Sequence, residues 1–157
     1  MSEGEDLQAA LDLAYRHLGR RERSEAQLRR HLAAREVREA MIDAAVQELM
    51  RQGYLDDARF ARVYAEDRRS LDGWGSERIE RKLLAADVDC ELVAAALGAR
   101  DADDELDAAV GLLRRRCREV PATERERERA LALLLRKGYD LELAYDAVRA
   151  FAPADAA

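Results

Sequence analysis

The residues best equipped for chemistry in this chain are arginines. Arg20, Arg21 and Arg23 flank Glu22 and directly precede Ser24 and Glu25, so guanidinium groups lie beside what reads as a helix N-terminus. A planar donor fork suits carboxylate and phosphate alike, and this segment therefore fits a protein acid or a nucleic-acid backbone. The competing structural reading is that Arg23 or Glu22 braces neighbouring helices through ion pairs. Arg16 upstream, and Arg29 and Arg30 downstream, extend the cluster. A second set is Arg114-Arg115-Arg116, followed by the alternating stretch Glu124 to Arg129, whose charges at i, i+3 and i+4 equally suit pairing along an exposed helix. The candidate partner- or nucleic-acid-binding residues are Arg16, Arg20, Arg21, Arg23, Arg29, Arg30, Arg114 and Arg115.

The usual local signatures of catalysis are missing: there is no GxxxxGK[ST], HExxH, GxSxG or GxGxxG. His17 and His31, the only histidines, each sit in an Arg-rich stretch and read as surface polar groups despite an intrinsic pKa suited to acid–base work. Cys90 and Cys117 are far apart and lack a His at ligand spacing, so they read as reduced thiols rather than metal ligands. No catalytic residue, metal or cofactor is expected. Trp74 stands between Gly73 and Gly75, where an indole can fill a seam or wait for a partner or a base face. The turn Gly53-Tyr54-Leu55-Asp56-Asp57, with Phe60, has the chemistry of a joint between helices.

Net charge is −6, which argues against a free-standing protein that holds DNA by charge alone. The charges are segregated, however. Residues 14–35 carry seven Arg against two Glu, residues 111–137 nine Arg or Lys against four Glu, and residues 87–110 one Arg against eight acids. Such patterning fits a partner of mixed charge, for instance a protein coated on nucleic acid, while the plainer reading is solvated helix faces. No apolar run approaches the ~20 residues needed to span a bilayer and the N-terminus is acidic, so a cytoplasmic protein without membrane contact is expected.

The elements that must position these arginines are helices. Apolar residues make up 48% of the chain and charged residues 38%, with two prolines and many Ala, Leu, Arg and Glu. Leu7, Leu11, Ala14, Tyr15 and Leu18 define one face of a first helix over Asp6 to Leu18. Ser24 with Gln27 forms a capping box for the next, whose inward stripe is Leu28 and Leu32. A third begins near Arg38 and ends at Gly53. This pattern recurs at an offset of 51 residues: Leu28, Leu32, Val37, Ile42 and Val46 return as Ile79, Leu83, Val88, Val93 and Leu97, and again as Ala130, Leu134, Tyr139, Ala144 and Val148. In the second copy Asp56 or Asp57 caps the opening helix, Ser76 is placed to cap the next, and Gly98 closes the third. The third copy opens at Asp103 or Asp104 and restarts at the Thr123-x-x-Glu126 capping box. The predicted fold is all-α, three tandem three-helix repeats over residues 6–53, 54–100 and 101–152 in an elongated, curved array. Arrays of this kind work as extended binding surfaces rather than enclosed reaction pockets.

Four stretches carry a family resemblance: Arg-Glu-Arg-Ser-Glu-Ala-Gln-Leu at 21–28, Gly-Tyr-Leu-Asp-Asp-Ala-Arg-Phe-Ala at 53–61, Gly-x-x-x-Ile-x-x-x-Leu from Gly75 to Leu83, and Leu-Leu-x-x-Gly-Tyr from Leu134 to Tyr139. Together with the triple repeat, they make the chain resemble the RecX family of regulators of the RecA recombinase, from about Leu7 to Phe151. It departs at Asp87, where the family commonly has Gly in the middle unit. The resemblance implies a helical monomer that binds the groove of a RecA–DNA filament and meets single-stranded DNA mainly through that filament. It also implies suppression of recombinase ATP hydrolysis and strand exchange, with consequences for recombination, DNA repair and the SOS response. The alternative is a stand-alone helical DNA-binding module, since three-helix units superficially resemble helix-turn-helix folds.

Overall fold

In the computed structural model, which describes residues 2–151, every regular element is a helix. In chain order these are α1 (Glu3–Leu18), α2 (Glu25–Ala34), α3 (Glu39–Arg51), α4 (Asp57–Asp67) continued by a π-helical turn (Arg68–Asp72), α5 (Ser76–Ala85), α6 (Cys90–Leu97), α7 (Ala102–Arg116), α8 (Glu124–Lys137) and α9 (Leu141–Phe151). Among the described residues, no helix is long and apolar enough to cross a membrane.

Side-chain oxygens start most of these helices, because the first backbone N–H groups of a helix have no partner within it. Reciprocal capping boxes form at Ser2 with Glu5, Ser24 with Gln27 and Thr123 with Glu126. The first helix therefore begins at Glu3 rather than at Asp6. Asp101, upstream of the predicted Asp103 or Asp104, caps α7 by accepting from the Asp104 N–H at 2.8 Å. Asp56 caps α4 through the Arg59 N–H, whereas the carboxylate of Asp57 reaches back to accept from the Glu25 N–H at 2.8 Å. Burial raises the pKa of that carboxyl above its ordinary value.

Ser76 does not cap α5 as predicted; it is the first residue of that helix, and its hydroxyl accepts from Arg69 Nη2. The N-terminus of α5 is satisfied from elsewhere in the chain. Ser76 N–H donates to Glu105 Oε2 at 3.1 Å and Glu77 N–H to the Gly138 carbonyl at 2.9 Å, while the preceding Gly75 N–H donates to the Lys137 carbonyl at 2.8 Å. Carbonyls freed at the end of α8 thus take up N–H groups freed at the start of α5.

The 51-residue repeat appears in the backbone as one helix-ending motif used three times. The N–H groups of Val37, Val88 and Tyr139 donate to the carbonyls of Leu32, Leu83 and Leu134 at 3.2, 3.2 and 3.0 Å. The residue before each donor lies in the left-handed region: Glu36 at φ 61°, Asp87 at 56° and Gly138 at 96°. This is the Schellman arrangement that closes a helix by folding the chain back over its last turn. The fifteen repeat positions are all buried except Val37 and Leu97, which are half-buried.

The chain divides into two compact units, one drawn from Met1–Val63 and Leu83–Val93, the other from Tyr64–Lys82 and Ala94–Ala157. The middle repeat is therefore shared between them. In the first unit, α1 packs on α2 and α3 around Leu11, Leu28, Leu32, Val46 and Leu49. In the second, α9 packs on α7 and α8 around Leu113, Leu134, Tyr139 and Val148. Truncating a fully buried leucine such as Leu32 or Leu134 to Ala costs roughly 2–5 kcal/mol.

Candidate functional site

The N-terminal arginine cluster gathers at the end of α1, its connection to α2, and the outer face of α2, all within the first unit. Gly19 ends α1, and Ser24 then fixes the start of α2: its side chain is fully buried, accepts from the Gln27 N–H at 3.1 Å and donates to the Ala86 carbonyl at 2.9 Å. The connection carrying Arg20, Arg21 and Arg23 is thereby pinned at both ends. Arg20 and Arg21 are exposed and form no hydrogen bond or ion pair. Arg23 is half-buried and its Nε is buried without a partner. Burial lowers its pKa, with Arg21 and Arg20 adding to the effect.

Two depressions open on this cluster. The smaller, of about 120 Å³, is lined by Leu13, Arg16, His17, Arg20, His31 and Arg35. In it the imidazoles of His17 and His31 stack with centroids 3.7 Å apart and planes 10° apart. The pKa of His17 is pulled down to about 4, first by burial and then by His31, Arg23, Arg20 and Arg21; that of His31 is lowered by burial, Arg35, Arg23 and Arg20. The larger is an open groove of about 590 Å³ in which Arg20, Arg21 and Arg59 share the walls with Tyr15 and Tyr54. There Tyr15 donates from its hydroxyl to Gln52 Oε1 at 2.6 Å and meets Tyr54 edge-on at 5.5 Å. Arg59 is held by Glu22 at 2.9 Å and by the Gly53 carbonyl, which is the bracing role the sequence offered to Glu22.

The remaining arginines of α2 are not equivalent to these. Arg29 bridges Glu25 and Asp43, and the hydrogen bond to Asp43 raises its pKa. Arg30 donates to the Ala26 carbonyl and pairs with Asp87 at 3.3 Å. Arg16 reaches the Asp12 carbonyl at 3.4 Å. Of the six candidates here, the structure brings Arg16 and Arg20 to one crevice and Arg20 and Arg21 to one groove, and it ties Arg29 and Arg30 to carboxylates.

Arg114 and Arg115 belong to the second unit, exposed on the last turn of α7, where cations complement the helix dipole. Arg115 lines a groove of about 680 Å³ with Arg69, Leu71, Asp107 and Tyr139. The π-helical turn beside it leads into Gly73-Trp74-Gly75, and the half-buried indole is engaged from several directions. The Arg78 guanidinium lies 4.0 Å from its ring centroid and that of Arg68 5.8 Å away, and Tyr64 meets it edge-on at 6.4 Å. Arg78 also donates to the Arg136 carbonyl, Lys137 to the Asp72 carbonyl and the Tyr139 hydroxyl to the Gly73 carbonyl. Trp74 therefore fills a seam inside this unit.

Sequence reasoning missed Arg35, Arg59, Arg68 and Arg78, and read the histidines singly. The Trp74 to Arg78 spacing of i, i+4 was a local signal for their contact. The His17–His31 stack has no counterpart signal, since the two lie on different helices.

Two family models match, described as the first three-helix domain of RecX over residues 10–49 and the second over residues 56–97. The regulatory protein RecX of Xanthomonas campestris pv. campestris (strain B100) is 36% identical over 135 residues, 85% of this chain and 80% of that one. The same-named protein of Bacillus velezensis (strain DSM 23117 / BGSC 10A6 / LMG 26770 / FZB42) is 29% identical over 143 residues; the match takes in 89% of this chain but only 54% of that longer relative. Among solved structures, the crystal structure of RecX from Lactobacillus salivarius superposes with a TM-score of 0.81 at 16% identity, over 94% of this chain and 97% of that one, a likeness of fold.

Proposed function

Because this chain belongs to the RecX family of regulatory proteins, we propose that it binds the groove of a RecA–DNA filament and inhibits recombinase ATP hydrolysis and strand exchange. Through that inhibition it modulates recombination, DNA repair and the SOS response. It acts in the cytoplasm as a monomer of three three-helix repeats, 6–53, 54–100 and 101–152, and meets single-stranded DNA mainly through the filament. It works by binding rather than by catalysis.

The observation that carries this reading within the chain is the pair Arg20 and Arg21, exposed and without ion pairs on a connection fixed by the buried Ser24. On a fixed backbone, where the ordering cost is confined to the two side chains, guanidinium forks with free donors bind carboxylates or phosphates. Both are available on a recombinase coated on DNA. The test is single-stranded-DNA-dependent ATP hydrolysis by RecA from the same organism, with and without this chain. Inhibition is expected at molar ratios near the filament's binding sites; none at several-fold excess of folded protein overturns the reading. Tight binding to naked DNA with a steep salt dependence, and no effect on RecA, would identify a stand-alone DNA-binding module instead.

A further inference from the structure

We propose that the crevice between α1 and α2 is a binding site for a single phosphate group, gripped by Arg16, Arg20 and Arg35 and backed by the paired imidazoles of His17 and His31. This goes beyond filament binding, because it concerns the isolated chain and a defined pocket.

The lining carries five basic side chains and Leu13, and no carboxylate. α3, which packs on both helices, contributes no residue to it. Several other arginines of the same unit find acids: Arg29 meets Glu25 and Asp43, Arg38 meets Asp6, and Arg59 meets Glu22. Arg20 and Arg35 meet none, and the only hydrogen bonds of Arg16 go to a backbone carbonyl. Like charges gathered in one depression repel, and an anion placed among them turns that repulsion into attraction. The space of about 120 Å³ is well above the ~10–15 Å³ that one water requires, so a tetrahedral oxyanion has room there, and the basic lining favours an anion.

The histidines fit the same ligand. Burial first, and then the surrounding guanidinium groups, disfavour protonation of the two rings, and as imidazolium ions stacked at 3.7 Å they would also repel. An anion at the mouth offsets the repulsion among these charges and raises the proton affinity of each ring, and a protonated ring offers N–H donors from both nitrogens. Guanidinium forks then supply charge-assisted bonds to the phosphate oxygens. A phosphate group of this kind can come from a free phosphate ion or from the backbone of a nucleic-acid strand.

The chain has two histidines and both lie in the crevice, so imidazole NMR signals report on this site alone. The full chain is titrated with inorganic phosphate and, separately, with a single-stranded oligonucleotide lacking terminal phosphates, each against chloride at equal ionic strength. Saturable shifts of both imidazoles, with raised imidazole pKa values, are expected with at least one of the two. Response to phosphate identifies the free ion as a ligand; response to the oligonucleotide alone identifies the strand backbone. Arg20→Gln and Arg35→Gln, both at exposed positions compatible with folding, should weaken the response about tenfold each. Arg125→Gln, an exposed residue of α8, should match the parent. No shift beyond chloride with either ligand, or Arg20→Gln and Arg35→Gln titrating like the parent, overturns the proposal.

Discussion

The hydroxyl of Ser24 donates to the carbonyl of Ala86 at 2.9 Å, joining the start of α2 to the turn between α5 and α6 inside the first unit. The same oxygen accepts from the Gln27 N–H, so one buried atom both caps a helix and satisfies a distant backbone group. Ser24→Ala removes both bonds, and the expected destabilisation is about 1–3 kcal/mol, measured by urea unfolding. A loss below about 0.5 kcal/mol, the size of an ordinary surface change, would remove this link from the fold.

The glycines separate by what surrounds them. A Cβ on Gly138, already at φ 96°, would lie 2.6 Å from the Arg78 backbone nitrogen, and one on Gly75 would lie 2.6 Å from the Gly138 carbonyl carbon. Gly53 is equally left-handed at φ 81° but has nothing within 4 Å. Gly53→Ala should cost about 1–2 kcal/mol from backbone strain alone, and Gly138→Ala at least about 3 kcal/mol. Comparable losses would show that the close approach of α5 to the end of α8 adds nothing.

Glu36 and Asp87 hold the left-handed positions that Gly138 holds in the third repeat. Glu36 is exposed and has no ion pair, so Glu36→Gly should stabilise by about 0.5–1 kcal/mol. Asp87 pairs with Arg30 in an exposed contact worth about 0–1 kcal/mol, and Asp87→Gly should gain less. Thermal unfolding of the two variants ranks them directly; a larger gain for Asp87→Gly would contradict the assignment.

Charge reversal should divide the arginines by their partners. Replacing Arg20 and Arg21 together by Glu is expected to weaken RecA inhibition by about tenfold or more with unchanged helical content, since neither side chain braces the fold. Arg29→Ala breaks the contacts with Glu25 and Asp43 and should leave inhibition within about twofold of the parent. The ATP hydrolysis assay reads both. Equal losses would move the docking surface onto the outer face of α2.

The histidine pair gives the protein a pH dependence of known sign. Both imidazoles are harder to protonate folded than unfolded, His17 reaching down to about 4 from 6.5. The unfolded chain therefore binds more protons between these values, and the stability contributed by the neutral pair is present above pH ~6.5 and lost as pH falls towards ~4. A His17→Gln, His31→Gln variant should lose less stability than the parent between pH 7 and pH 4.5, in phosphate-free buffer. Parallel curves would mean that the rings titrate normally.

Much of this molecule was legible in the order of its residues. The 51-residue recurrence of Leu28, Leu32, Ile42 and Val46 marks the buried positions, and Ser24-x-x-Gln27 and Thr123-x-x-Glu126 mark helix starts, because helical periodicity and capping are contacts between residues three or four apart. The arginine clusters were equally visible as composition. The chain alone thus determined helices, their repeat and the wealth of guanidinium groups at the α1–α2 connection.

Only tertiary structure decided what those groups do. It gave Arg29 and Arg30 to carboxylates, left Arg20 and Arg21 open, stacked His17 on His31, and took the cap of α5 from Glu105 and Gly138 rather than from Ser76. It also split the middle repeat between two compact units. Each of these outcomes depends on which helix faces come together across tens of residues, and side-chain pairing over that span is set by packing geometry, which no local spacing encodes.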